Sequence, residues 1–158
     1  MRTATLSKRG PRPLVLVLVG LPACGKSTWA REQGIPALSS DALRELLADD
    51  ATDQSIHRRV FAHVRALLRT RLAIGRPTTA VDATNLTPKE RRPYIEIARR
   101  ASARIEAVYF DIPVEECLKR NRRRARVVPT EAIHAMAIKL RRPSIAEGFA
   151  RVRVVTAP

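Results

Sequence analysis

Residues 14–30, LVLVLVGLPACGKSTWA, limit what this chain can fold into more than any other stretch. Six leucines and valines form an apolar run with no polar face, as expected of a strand covered on both sides in a parallel sheet. The run ends in Gly20-Leu21-Pro22-Ala23-Cys24-Gly25-Lys26-Ser27, which fits GxxxxGK[ST] without a mismatch, and Thr28 continues into a helix. Glycines in such a loop let successive N–H groups face phosphates, and the helix that opens there adds its positive dipole end. Lys26 would reach the β- and γ-phosphates, and the Ser27 hydroxyl would ligate Mg²⁺. Cys24 reads as a tolerated small residue rather than a redox switch. The stretch predicts a bound nucleoside triphosphate: ATP, with GTP or another NTP as alternative donor. What receives the phosphate is left open.

The rest of the chain alternates strands and helices. A helix is expected over Lys26–Gln33, stopped by Gly34, followed by a short strand at Ala37–Ser39 and a Ser-Ser-Asp cap before ALRELLA. Gln54–Ile74 reads as a long amphipathic helix with Ile56, Val60, Val64, Leu67, Leu68 and Leu72 on one face. A strand at Thr78–Val81 leads into DATN, and Thr87-Pro88-Lys89-Glu90 is a capping box with proline at the first helical position. Further elements are a strand over Arg104–Phe110, helices over Pro113–Arg123 and about Glu131–Arg141, and an edge-like strand at 151–155. The expected fold is α/β: a three-layer sandwich with a central parallel sheet of about five strands and helices on both faces. Residues 14–158 form one domain, with a lid near 120–130, behind a basic flexible arm at 1–13.

Charge is the unusual part of the composition. Thirty Lys and Arg stand against fifteen Asp and Glu, a net charge of +15, and 25 of the thirty are arginine. Such an excess points to a polyanionic partner, nucleic acid foremost. With 4% aromatic residues, a nucleic acid would be held by its phosphates more than by base stacking. No apolar run is long enough to cross a bilayer, so no membrane role is expected. Two distant cysteines suit a reducing, cytoplasmic setting, and the three histidines lack metal-ligand spacing.

A phosphate loop serves kinases, GTPases and motor ATPases alike. No NKxD guanine motif is present, and Asp82, the best candidate for a strand-end acid, is followed by alanine rather than a second acid. A kinase needs a carboxylate near the acceptor hydroxyl, cations over the transferring phosphate, and a lid that excludes water. Asp41 lies where strands end and ligands collect, and Arg44 follows on the same helix face. Arg120-Asn121-Arg122-Arg123-Arg124-Ala125-Arg126 lies between two helices, as a lid would. A small-metabolite kinase would need Lys26, Ser27 and Asp41 but no broad basic face. A nucleic-acid-binding ATPase without acceptor would be indifferent to Asp41.

Taken in order, GLPACGKST, SSDALR, DDATDQ, VDATN and KRNRRRAR resemble the kinase module of phage and bacterial polynucleotide 5′-hydroxyl kinases, over Leu14 to about Val155. The resemblance implies phosphoryl transfer from ATP to the 5′-OH of DNA or RNA in end healing or repair. It implies Asp41 as general base and Arg44 as the grip on the acceptor's 3′-side phosphate. Arg120, Arg124 and Arg126 would contact ATP phosphates, Arg124 among the catalytic groups with Lys26. Asp82 and Asn85 of the DATN turn would lie beside the acceptor. Some relatives carry phosphatase or ligase modules; here those partners would act as separate proteins.

Overall fold

The computed structural model describes residues 10–156. Residues 1–9 of the expected basic arm lie outside them. Its last residue, Pro13, accepts a hydrogen bond from Arg104 N at 2.8 Å, so the chain is anchored immediately before the first strand.

That strand, β1 (Leu14–Val19), is the sheet's centre, and its alternation divides the core. Val15, Val17 and Val19 enter one cluster with Val60, Val64, Leu68 and Tyr94, while Leu16 and Leu18 enter another with Ala30, Cys117 and Ile133. Each fully buried Val or Leu contributes about 1.5–3 kcal/mol relative to exposure, so the all-apolar run fixes β1 between two helical layers. Helix α1 (Lys26–Glu32) follows the glycine-rich turn; β2 (Ala37–Ser39) runs into α2 (Ser40–Ala48), capped by the Ser39 hydroxyl on Ala42 N at 3.2 Å. Helix α3 (His57–Ala73) leads to β3 (Thr78–Asp82), α4 (Pro88–Arg100) to β4 (Arg104–Phe110), and α5 (Val114–Asn121) and α6 (Thr130–Lys139) to β5 (Arg151–Val155). The five strands are all parallel in the order β2-β3-β1-β4-β5. The connection leaving β1 runs toward β2 and the one leaving the adjacent β3 runs the opposite way, toward β4, so the crevice at the carboxyl ends of β1 and β3 is the expected ligand position.

Three expectations need correction. Helix α3 starts at His57, not Gln54, because Asp50 and Asp53 accept from the backbone N–H groups of Thr52 and Ser55, both at 2.8 Å, and hold turns there instead. Leu67 is 40% exposed, since it lies at the margin of the face formed by Val60, Val64, Leu68 and Leu72. Helix α6 ends at Lys139 because Arg141 N is drawn to the Leu86 carbonyl at 2.8 Å, and a 3₁₀ turn at Ile145–Glu147 follows, unforeseen in the sequence. No helix among the described residues is long and apolar enough to cross a membrane.

Candidate active site

The loop between β1 and α1 closes through two left-handed residues, Ala23 (φ 62°) and Gly25 (φ 99°). Gly20 is required for a different reason. A Cβ there would lie 2.7 Å from Cys24 Sγ and 3.1 Å from Phe110 Cβ, so the buried thiol fills the space a side chain would take. Cys24 is therefore a packing element of the loop. The Lys26 ammonium turns back onto the loop, donating to the carbonyls of Gly20 (3.0 Å) and Leu21 (2.7 Å). Ser27 donates to Asp82 Oδ2 at 2.5 Å, joining the loop to the end of β3.

Above the loop lies a cleft of about 660 Å³, into which Pro22 to Thr28, Asp41, Arg44, Asp82, Arg120, Arg124 and Arg126 all project. Asp41, half-exposed at the start of α2, takes Arg44 Nη1 on Oδ1 and Arg126 Nη2 on Oδ2, each at 3.2 Å. Arg44 is only 4% exposed, and its Nε has no partner. A buried guanidinium with a free donor at a cleft wall is prepared for an anion. Arg120 Nη1 approaches the Cys24 carbonyl at 3.5 Å while its Nε pairs with Glu116 at 2.9 Å, so this arginine lies over the phosphate loop. Arg124 is exposed on the cleft wall.

Two residues sit differently from their expected neighbours. Asp82 meets Ser27 on the loop side rather than the Asp41 side, and Arg126 meets Asp41 rather than the loop. Asn85 does not line the cleft: its side-chain amide is buried and donates to the Leu18 carbonyl at 2.7 Å, with its backbone left-handed at φ 48°.

The structure adds residues that sequence patterns did not single out. Asn121 bonds both the N–H and the carbonyl of Val128, at 3.0 and 2.7 Å, and so clamps the base of the arginine loop. Fully buried Arg91 forms a fork on Glu147 at 2.8 and 2.7 Å, and its Nη1 reaches the carbonyls of Asn85 (2.9 Å) and Arg141 (3.1 Å). It thereby ties the turn after Asp82 to the C-terminal segment. His57 and Phe61 also line the cleft, their rings 4.7 Å apart.

The donor set suits Mg²⁺-nucleotide. No group of three or more His, Cys, Asp or Glu among the described residues could cage a metal. One hydroxyl and one carboxylate in contact beside the glycine-rich turn match the donors of a cation that keeps most of its waters.

A family model described as an AAA domain matches residues 15–143. The chain is 30% identical over 115 residues to the L-seryl-tRNA(Sec) kinase of Homo sapiens, covering 72% of this chain and 33% of that protein. It is 26% identical over 141 residues to the L-seryl-tRNA(Sec) kinase of Methanococcus maripaludis, covering 82% of this chain and 53% of that protein. The chain thus spans a third to about half the length of these curated relatives. A chain in the structure of the Pnkp1/Rnl/Hen1 RNA repair complex superposes with a TM-score of 0.71 at 26% identity, over 87% of this chain and 47% of that one.

Proposed function

The chain belongs to the AAA_33 family of P-loop kinase domains, and from that premise we propose that it transfers the γ-phosphate of ATP to the 5′-hydroxyl of a polynucleotide. The observation that carries this reading is Asp41, a half-exposed carboxylate in the same cleft as the phosphate loop, beside a buried arginine with a free donor. Asp41 accepts the proton of the acceptor hydroxyl. The freed oxygen attacks the γ-phosphorus as the bond to the β-bridging oxygen breaks, and ADP leaves. Arg44 holds the phosphate on the 3′ side of the acceptor nucleoside, which selects a strand end over a free nucleoside. Lys26, Arg120 and Arg124 stabilise the charge on the transferring group. Mg²⁺, held through Ser27 and Asp82, would neutralise β- and γ-phosphate oxygens. Arg126 covers Asp41 and yields it to the acceptor. Asn85 acts as a positioning residue, fixing the turn after Asp82 against β1.

A second reading is favoured by the curated relatives, both named L-seryl-tRNA(Sec) kinase: the acceptor hydroxyl would be that of an aminoacyl group on RNA. Both readings use the same base and donor site. The test supplies γ-labelled ATP and Mg²⁺ with a 5′-OH oligonucleotide, a seryl-tRNA or a mixture of small hydroxylated metabolites. Label on the oligonucleotide is expected, and Asp41→Asn should lower transfer by about 10²–10⁴-fold with ATP still bound. Label on seryl-tRNA alone would favour the second reading, and label on metabolites alone would overturn both.

A further inference from the structure

A second basic feature lies outside the cleft. Helix α3 carries five arginines and no acid over 17 residues. Arg71 is engaged inward, bonding Thr79 Oγ1 at 2.8 Å and the Thr78 carbonyl at 3.1 Å. Arg65 and Arg69 instead project into a groove of about 570 Å³ between α3 and α4, where Arg100 faces them across a floor that includes Leu72 and Ile97. Glu96 is the one acid lining this groove, so three guanidiniums face a single carboxylate. Among the described residues, none of the three arginines has a salt-bridge partner within 4.0 Å. An arginine-rich composition alone does not produce this, because α5 balances Lys119 and Arg120 with Glu115 and Glu116 in eight residues.

The groove and the cleft share helix α3 as a wall. Phe61 lines the cleft, and Arg65 and Arg69 follow it at i+4 and i+8 on the same side of α3. At about 1.5 Å per residue, Phe61 to Arg69 spans about 12 Å, the rise of roughly four stacked nucleotides at 3.4 Å each.

We propose that the α3–α4 groove binds the sugar–phosphate backbone of the acceptor strand downstream of its 5′ end, with Arg65, Arg69 and Arg100 as phosphate contacts. This deepens the 5′-hydroxyl reading and rests on it. The occupant is set by charge complementarity and by helix α3, which walls both the groove and the cleft that holds Asp41. Short acceptors reach only the cleft; longer ones also engage the groove, which raises affinity and leaves the chemical step unchanged.

The experiment uses the full chain, a 5′-OH trinucleotide and a 5′-OH 20-mer, and Arg65→Gln/Arg69→Gln/Arg100→Gln beside the corresponding triple lysine variant. The wild type should show a KM at least tenfold lower for the 20-mer than for the trinucleotide. The glutamine variant should lose that advantage with kcat and trinucleotide kinetics unchanged, and lysine should largely restore it, since phosphate needs the charge. Fluorescence anisotropy of a labelled 20-mer should show the logarithmic salt slope reduced by about 2, the value for three lost phosphate contacts on a single strand. Equal KM values for the two lengths, or an unchanged 20-mer slope in the glutamine variant, would overturn the groove while leaving the 5′-hydroxyl reading intact. Failure to label any 5′-OH substrate overturns that reading, whereas the anisotropy measurement still decides the groove.

Discussion

Replacing Arg91 by methionine probes how the site is held. The guanidinium is fully buried and makes four hydrogen bonds, two on the Glu147 carboxylate and one each on the carbonyls of Asn85 and Arg141. Methionine fills much of the volume and donates nothing. Glu147 is then a nearly buried carboxylate whose remaining contact is Ser144 N at 3.2 Å. Removing one partner of a buried ion pair costs about 3–5 kcal/mol. An orphaned carbonyl adds roughly 1 kcal/mol. A loss of about 4–6 kcal/mol is large against a total stability of about 5–15 kcal/mol. With a urea dependence of about 2 kcal/mol per M, the unfolding midpoint should fall by roughly 2–3 M. The double variant Arg91→Met/Glu147→Leu, which leaves no unpaired charge, should recover about 2 kcal/mol or more relative to Arg91→Met alone. A midpoint for Arg91→Met within 0.5 M, roughly 1 kcal/mol, of the wild type would refute the reasoning, as would a double variant no more stable than the single.

Two further outcomes follow from the loop and the core. Gly20→Ala forces Cβ against Cys24 Sγ and Phe110 Cβ, so affinity for a fluorescent ATP analogue should fall at least tenfold, with partial recovery in Gly20→Ala/Cys24→Ala; unchanged affinity would contradict the packing argument. Burial pushes the Cys117 thiol up to about 11 from its usual 9, so between pH 9 and 11 the unfolded chain releases a proton that the fold retains. Stability must then decline as pH rises through that window, a decline that melting curves should register and that Cys117→Ala should flatten.

What the sequence made legible was local or periodic. The valine–leucine run of β1, the loop glycines, the Ser39 cap and the Thr87 capping box each declare themselves within a few residues, and the structure has each at its expected position. Leu67 and the first turn of α3 depart from the sequence pattern because apolar spacing says nothing of where a face ends or whether an Asp side chain competes for the backbone. Arg91 was unreadable for a different reason. It lies in KERRPYIEIARR among surface arginines, and its partner Glu147 is 56 residues away in a turn with no periodic signal. The Asn121–Val128 clamp is similarly hidden, since an asparagine inside an arginine run looks like one more solvated residue. The cleft itself combines both kinds of information. Asp41 and Arg44 could be picked out from one helix turn, but the meeting of Arg126 with Asp41 depends on how the loop after α5 folds over.

That loop has a thermodynamic consequence. Arg120 touches a carbonyl of the phosphate loop, Arg126 touches Asp41, and the five residues between them, pinned at Asn121, connect the two. A ligand that draws Arg120 off the Cys24 carbonyl and one that displaces Arg126 from Asp41 act on the same short span. Whatever free energy the first contributes toward rearranging that span, the second need not supply. Two ligands acting on the span in this way are therefore linked, and the linkage must be equal in both directions.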